Sequence, residues 1–210
     1  MTKVYPNAAA AAAASGDDPK QKTSSLDEAA VIMTVWKKSL LLNCHGFTVF
    51  DGQGNLVFRV DNYLSRHNKD NVLLMDAAGT PLLTLRHKRL SLGEKWEVYE
   101  GESTVKAQFS ARKHVSVLNS KCLAHVTMVK SSENENEKGY EIEGSYAQRC
   151  CSVMDKNKRL VAEIKKKEAA AGGVAFGADV FRLIVEPEMD TALAMAFVIL
   201  LDLMFGSSSR

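Results

Sequence analysis

From Val31 onward the chain alternates apolar and polar residues with a period of two, the pattern of strands with one face in a core and the other in water. Val105, Ala107, Phe109 and Ala111 alternate with Thr104, Lys106, Gln108 and Ser110. Trp96 and Val98 alternate with Lys95, Glu97 and Tyr99, and Cys122, Ala124, Val126 and Met128 alternate with Leu123, His125 and Thr127. About twelve strands follow, near 32–36, 47–51, 55–60, 72–76, 82–87, 94–100, 104–111, 122–129, 140–145, 150–154, 159–165 and 179–186. Three hairpins share one grammar. Their first strands end in Asp51, Asp76 and Asp155, and turns follow at 52–55, 77–79 and 156–158. Each aspartate can bond the backbone of the turn it opens, and a Gly or Asn then takes the positive φ. No helical segments alternate with the strands, which argues against a parallel α/β sheet.

The last element breaks the pattern. Pro187 stops the final strand, Asp190 or Thr191 can start a helix, and Ala192 to Leu201 contains no polar residue. A helix apolar on every side must be surrounded by apolar material. Lipid is one sleeve, but the apolar stretch 192–205 is only about 21 Å long against a hydrocarbon core of about 30 Å. It also carries Asp202, which is expected at a barrel mouth or against a cation. Protein is the other sleeve: a closed sheet of about twelve strands has a lumen wide enough for a helix roughly 10 Å across. The expected fold is therefore mainly β, a closed antiparallel barrel of about twelve strands around a central apolar C-terminal α-helix at 188–205, with no transmembrane span. Residues 1–28 read as a disordered alanine-rich tail, 29–206 as the barrel domain, and 207–210 as a short polar tail.

Composition narrows the function without assigning it. Hydrophobic residues make up 46% and charged residues 25%, which excludes a collagen, a wholly disordered chain and a multi-span membrane protein. A net charge of +2 supplies no global field, so binding to an acidic partner needs a local patch. Cys44, Cys122, Cys150 and Cys151 show no metal spacing and read as free thiols of a reducing compartment, with Cys150 and Cys151 on opposite faces of a strand. The run Ala8–Ala14 is only alanine and leads into Asp17, Asp18 and Pro19, so it is not a signal-peptide core. The expected location is intracellular and cytoplasmic, with peripheral-membrane or nuclear residence open.

Catalytic signatures are missing. Gly172–Gly177 lacks the second glycine of G-x-G-x-x-G, and Gly101–Val105 misses the nucleophile elbow at its last position. His45, His67, His87, His114 and His125 have no zinc spacing. Asp51, Gln53 and Asn55 begin like a calcium loop, but the bidentate Glu position holds Asn62. No catalytic residue, metal or cofactor is expected, and the chain reads as a non-enzymatic monomer. Basic clusters remain, at Arg86–Arg89, Arg112–His114, Lys156–Arg159 and Lys165–Lys167. Gathered at one barrel rim they would hold phosphates by charge-assisted hydrogen bonds. Arg86, Lys88, Arg89, Arg112 and Lys113 are the expected contacts, with anionic phospholipid headgroups or a protein as partner. No aromatics interleave with the basic runs, so nucleic acid is not expected.

Three segments carry a resemblance: GFTVFDGQGNLVFRVDNY (Gly46 to Tyr63), VLLMDAAGTPLLTLRHKRLSLGEKWEVYEGE (Val72 to Glu102) and ADVFRLIVEPEMDTALAMAFVILLDLM (Ala178 to Met204). Together they resemble the plant LURP-one-related proteins over roughly Val31 to Phe205. The resemblance implies a fold similar to the Tubby C-terminal domain and to phospholipid scramblases, twelve strands around a central helix. The family's biochemical activity is largely undefined, and a founding member is tied to plant defence. Tubby-like relatives bind phosphoinositides and can be released from the membrane to the nucleus. The implied function is binding of a membrane phosphoinositide or a protein in signalling or defence. The alternative is a membrane-associated, scramblase-like lipid handler, although the cysteine-rich and calcium-binding features of scramblases are not seen.

Overall fold

Every strand the alternation predicts is formed, and each pairs antiparallel with its neighbour in sequence. The computed structural model describes residues 29–41, 45–62, 71–88, 94–103, 105–114, 121–129, 139–168 and 176–206. The expected tails at 1–28 and 207–210 lie outside the described residues. The strands are β1 (Val31–Trp36), β2 (His45–Phe50), β3 (Leu56–Asn62), β4 (Asn71–Asp76), β5 (Pro81–Lys88), β6 (Lys95–Glu100), β7 (Ala107–Lys113), β8 (Cys122–Met128), β9 (Gly139–Ser145), β10 (Cys150–Asp155), β11 (Leu160–Lys166) and β12 (Val180–Val185). β1 also pairs with β12, from Val31 opposite Val185 to Trp36 opposite Val180, and this closes the barrel. Val35, Val49, Leu74, Leu85, Val98, Val126 and Leu183 are buried in the lumen, as their alternation requires.

Helix α1 (Thr191–Phe205) fills that lumen. It starts at Thr191 rather than 188, because Pro187–Met189 forms a turn closed by Met189 N–H donating to the Glu186 carbonyl at 3.0 Å. Asp190 caps it, its carboxylate accepting from Leu193 N–H at 2.8 Å. Leu193 through Leu201 are buried without interruption, so every side of the helix meets barrel wall. The ring of Phe197, for example, lies edge-on to Tyr140 at 5.3 Å between centroids. Each such Leu, Ile or Phe contributes about 1.5–3 kcal/mol of burial. At the far end Asp202 is paired with Lys37 at 2.7 Å and accepts from the Tyr146 hydroxyl at 3.1 Å. The all-apolar helix thus carries its one acid to a cation at the mouth.

The hairpin aspartates work as expected. Asp51 accepts from Gln53 and Asn55 N–H, Asp76 from Thr80 N–H, and Asp155 from Asn157 and Arg159 N–H, all at 2.7–2.9 Å. Gly54 and Gly79 take positive φ in the first two turns, but in the third it is Lys158 (φ 60°), not Asn157. Glu141 holds the Lys158 ammonium there. Two further differences matter. β7 starts at Ala107, not 104, and Val105 is 94% exposed in the preceding turn. In β8 the register slips: Cys122 lies opposite Glu143 and Ala124 opposite Ile142, so Leu123 is bulged out and Cys122 leaves the inward set.

In a meander barrel, strand ends alternate between two rims. α1 leaves β12 at the entry rim, returns through the lumen and ends at the exit rim, where β5, β7 and β11 also end. That geometry sorts the basic clusters.

Candidate functional site: a basic face at the exit rim

Across the exit rim the register sets Lys88 opposite Lys95, Lys95 opposite Arg112, and Arg112 opposite His125. Directly opposed residues project to the same face, so Lys88, Lys95 and Arg112 form one basic row on the outside of β5, β6 and β7, with the His125 imidazole beside it on β8. Arg86 lies two residues earlier on β5 and is exposed, as are Lys88 and Arg112. The fold therefore brings together three of the expected contacts, Arg86, Lys88 and Arg112. Arg89 lies outside the described residues. Lys113 points the other way, to the barrel mouth. Its ammonium donates to the Met204 carbonyl at 3.0 Å, lies over the Phe205 ring at 4.7 Å and is 3.6 Å from Glu94. It completes the C-terminus of α1, where the exposed carbonyls attract a cation. The Lys156–Arg159 cluster sits in the β10–β11 turn at the opposite rim. Lys95 stands alone in the sequence between Glu94 and Trp96, outside the basic clusters, and only the strand register delivers it to the row.

Glu97 organises this face from beneath. Its carboxylate accepts from the Tyr99 hydroxyl at 2.6 Å, from Lys95 at 3.0 Å and from Lys88 at 3.1 Å. Burial works against its charge, but the hydrogen bonds from Tyr99, Lys95 and Lys88 outweigh burial and hold the carboxyl at about 2. Burial and then the Glu97 carboxylate push the Tyr99 phenol up to about 12. One acid thus fixes two ammonium groups and leaves a surplus positive charge. Arg86 and Arg112 have no ion pair among the described residues.

The same rim carries apolar surface on its other side. Trp36, at the end of β1, is 40% exposed with the Lys38 ammonium 5.1 Å from its ring, and Leu40 is 53% exposed. Lys166 and Arg182 are exposed beside them, and Lys165 pairs with Glu163 at 2.7 Å. Lys167 is spent on the structure, donating to Thr34 at 3.1 Å and lying 5.2 Å over the Phe176 ring. At the entry rim the balance reverses, with Asp51, Asp76, Asp155, Glu186, Glu188 and Asp190 around the turns. A chain near neutrality overall is polarised from rim to rim.

Burial and then Glu141 push the Cys122 thiol up to about 11, and burial followed by Cys150 does the same for Cys151, so neither is a nucleophile at neutral pH. Cys150 is exposed and Cys151 buried, on opposite faces as expected. Two open depressions lie at the entry rim, one lined by Val31, Pro187 and Thr191 and the other by Tyr140, Asn157 and Glu188. No helix among the described residues is long and apolar enough to cross a membrane. The histidines that sequence spacing left scattered are not all scattered: β7 and β8 set the His114, Cys122 and His125 ligand atoms within 4.8 Å of one another.

Comparison with known proteins bears on the whole domain. The family model described as LURP-one-related matches residues 31–202. The chain is 55% identical over 184 residues to Protein LURP-one-related 8 of Arabidopsis thaliana, covering 86% of this chain and 90% of that one. It is 41% identical over 191 residues to Protein LURP-one-related 17 of the same plant, covering 85% of each. An X-ray structure of a protein from Arabidopsis thaliana superposes with a TM-score of 0.58 at 23% identity, over 83% of this chain and 90% of that chain, a likeness of fold.

Proposed function

The chain belongs to the LURP-one-related family, and on that premise we propose that it is a non-enzymatic barrel that docks, exit rim first, on membranes containing phosphoinositides. The observation that carries this reading is the polarity of the rims: Arg86, Lys88, Lys95 and Arg112 share one outer face, and Trp36 and Leu40 are exposed on the same rim. Guanidinium and ammonium groups bind phosphoryl oxygens by charge-assisted hydrogen bonds, and an exposed indole rests at the level of the headgroups. Each basic residue near an anionic leaflet contributes about 1 kcal/mol, a gain that salt screens. The likeness to Tubby-type barrels implied by the sequence agrees with this chemistry, and with an intracellular role in signalling or defence. A lipid handler that inserts α1 into the bilayer would have to withdraw the centre of its own core, since Leu193 to Leu201 are buried.

The test is co-sedimentation with vesicles that contain or lack a phosphoinositide, at low and high salt. Wild-type protein is expected to bind only the phosphoinositide vesicles, and less at high salt. The double reversal Arg86→Glu/Arg112→Glu is expected to abolish binding. Lys106→Glu/Lys156→Glu, the same charge change at exposed positions of the entry rim, is expected to leave it intact. Equal binding by both variants would refute the rim assignment. A wild-type protein that ignores the vesicles would make a protein partner the better reading.

A further inference from the structure

On the outer face of β7 and β8 the described residues bring together a donor set that neither the family assignment nor membrane docking uses. His114 follows β7, and its backbone N–H donates to the Leu123 carbonyl at 2.8 Å, which fixes it beside β8. Cys122 and His125 are three apart on β8, a spacing that in a regular strand puts side chains on opposite faces. The bulge at Leu123 reverses the parity. Cys122 then pairs with Glu143 and His125 with Glu141, both on the outer face, while Ala124 between them pairs with the buried Ile142. Bulges that re-aim a side chain are common beside functional sites.

Two of the three ligand-atom distances are near those of a coordination shell, and all three atoms lie within 4.8 Å of one another. His125 Nε2 is 3.2 Å from His114 Nδ1 and 3.4 Å from Cys122 Sγ. A tetrahedral zinc ion, with Zn–N of about 2.0–2.1 Å and Zn–S of about 2.3 Å, sets two nitrogens about 3.3 Å apart and a nitrogen and a sulfur about 3.6 Å apart. Nε2 has one in-plane orbital yet faces two partners at contact distance, which a cation shared by all three atoms satisfies at once. Carboxylates lie on the β9 side of the trio, and Arg112 is opposite His125 on the β7 side. Glu141 hydrogen-bonds Cys122 and is itself held by Lys158, and Glu143 lies opposite Cys122. We propose that His114, Cys122 and His125 form a binding site for a zinc-class divalent metal, with Glu141 as the carboxylate that orients or completes the set. One thiolate with two imidazoles selects zinc over calcium or magnesium, which take oxygen ligands. The Cys122 thiol proton is released to solvent as the metal–sulfur bond forms. The metal would tie the end of β7 to β8 at the exit rim.

Cobalt(II) is the probe, added to the untagged full-length chain under reducing conditions. One equivalent is expected to give a thiolate-to-cobalt charge-transfer band with strong visible bands of tetrahedral cobalt, and zinc is expected to displace it. Cys122→Ser should abolish the charge-transfer band and Cys150→Ser should not. His125 is exposed, so His125→Gln is compatible with folding and should weaken binding at least about tenfold. Zinc should also raise the melting temperature of the wild type and not of His125→Gln. Absence of the band in the folded wild type, or a band that survives Cys122→Ser, would reduce the cluster to a hydrogen-bonded trio and overturn the proposal. So would binding unaffected by His125→Gln.

Discussion

Glu97 shows how a single residue sets both the stability and the charge of the basic face. Its folded carboxyl ionises near 2 against an ordinary value of 4.5. An acid depressed in the folded state stabilises the fold above its unfolded value, and that contribution is lost as pH falls from about 4.5 to 2. Glu97→Gln is therefore expected to cost about 1–3 kcal/mol at neutral pH, and to flatten the acid limb of a melting-temperature profile in that window. Thermal melts across pH check both. The same substitution leaves Lys88 and Lys95 without their shared acid, so affinity for phosphoinositide vesicles should rise while stability falls. Lys113 gives the opposite pairing of effects. Lys113→Met removes the cation from the end of α1 and should cost about 0.5–2 kcal/mol in denaturant unfolding, with vesicle binding unchanged. Sequence could name Lys113 as basic, but adjacent strand residues face opposite ways. Only the closed barrel shows that Arg112 faces out while Lys113 serves the helix.

At the scale of elements, α1 and the strands explain each other. The alternation between 31 and 186 was legible because each strand has one wet and one dry face, and the unbroken apolar run at 192–201 was legible because the helix has no wet face at all. Leu200 is buried at the centre of this arrangement. Leu200→Asp would place a charge against barrel wall with no partner, and should cost more than about 4 kcal/mol. Loss of a cooperative melting transition would register it, and an unchanged transition would contradict the central helix. Irregular places were less legible. Val105 fits the alternation of β7 yet lies in the turn before it, since nothing in a two-residue period marks where pairing begins. The bulge at Leu123 is invisible to the same period, and so the meeting of Cys122 with His125 and His114 was too. Lys158 adopts the left-handed conformation where Asn157 was the natural choice, with Glu141 holding its ammonium in place.

For the molecule as a whole, the closed antiparallel meander turns separate basic segments of sequence into two unlike rims. The Lys156–Arg159 cluster goes to the acid-rich end, and the ends of β5 and β7 meet across β6 at the other. Trp36 and Leu40 stand on the same exit rim, on the β1 side. A net charge of +2 hides this polarity, as does any reading of the clusters one at a time. On the proposed orientation the exit rim meets the membrane. Trp36 reports on it directly, because Trp96, the other tryptophan, is buried. The decisive measurement is quenching of tryptophan emission by phosphoinositide vesicles whose acyl chains carry bromine near the headgroup. Quenching is expected in the wild type, and is expected to be lost in Trp36→Phe and weakened by salt. Vesicle binding with no quenching of Trp36 would place the membrane against another face of the barrel and contradict this orientation.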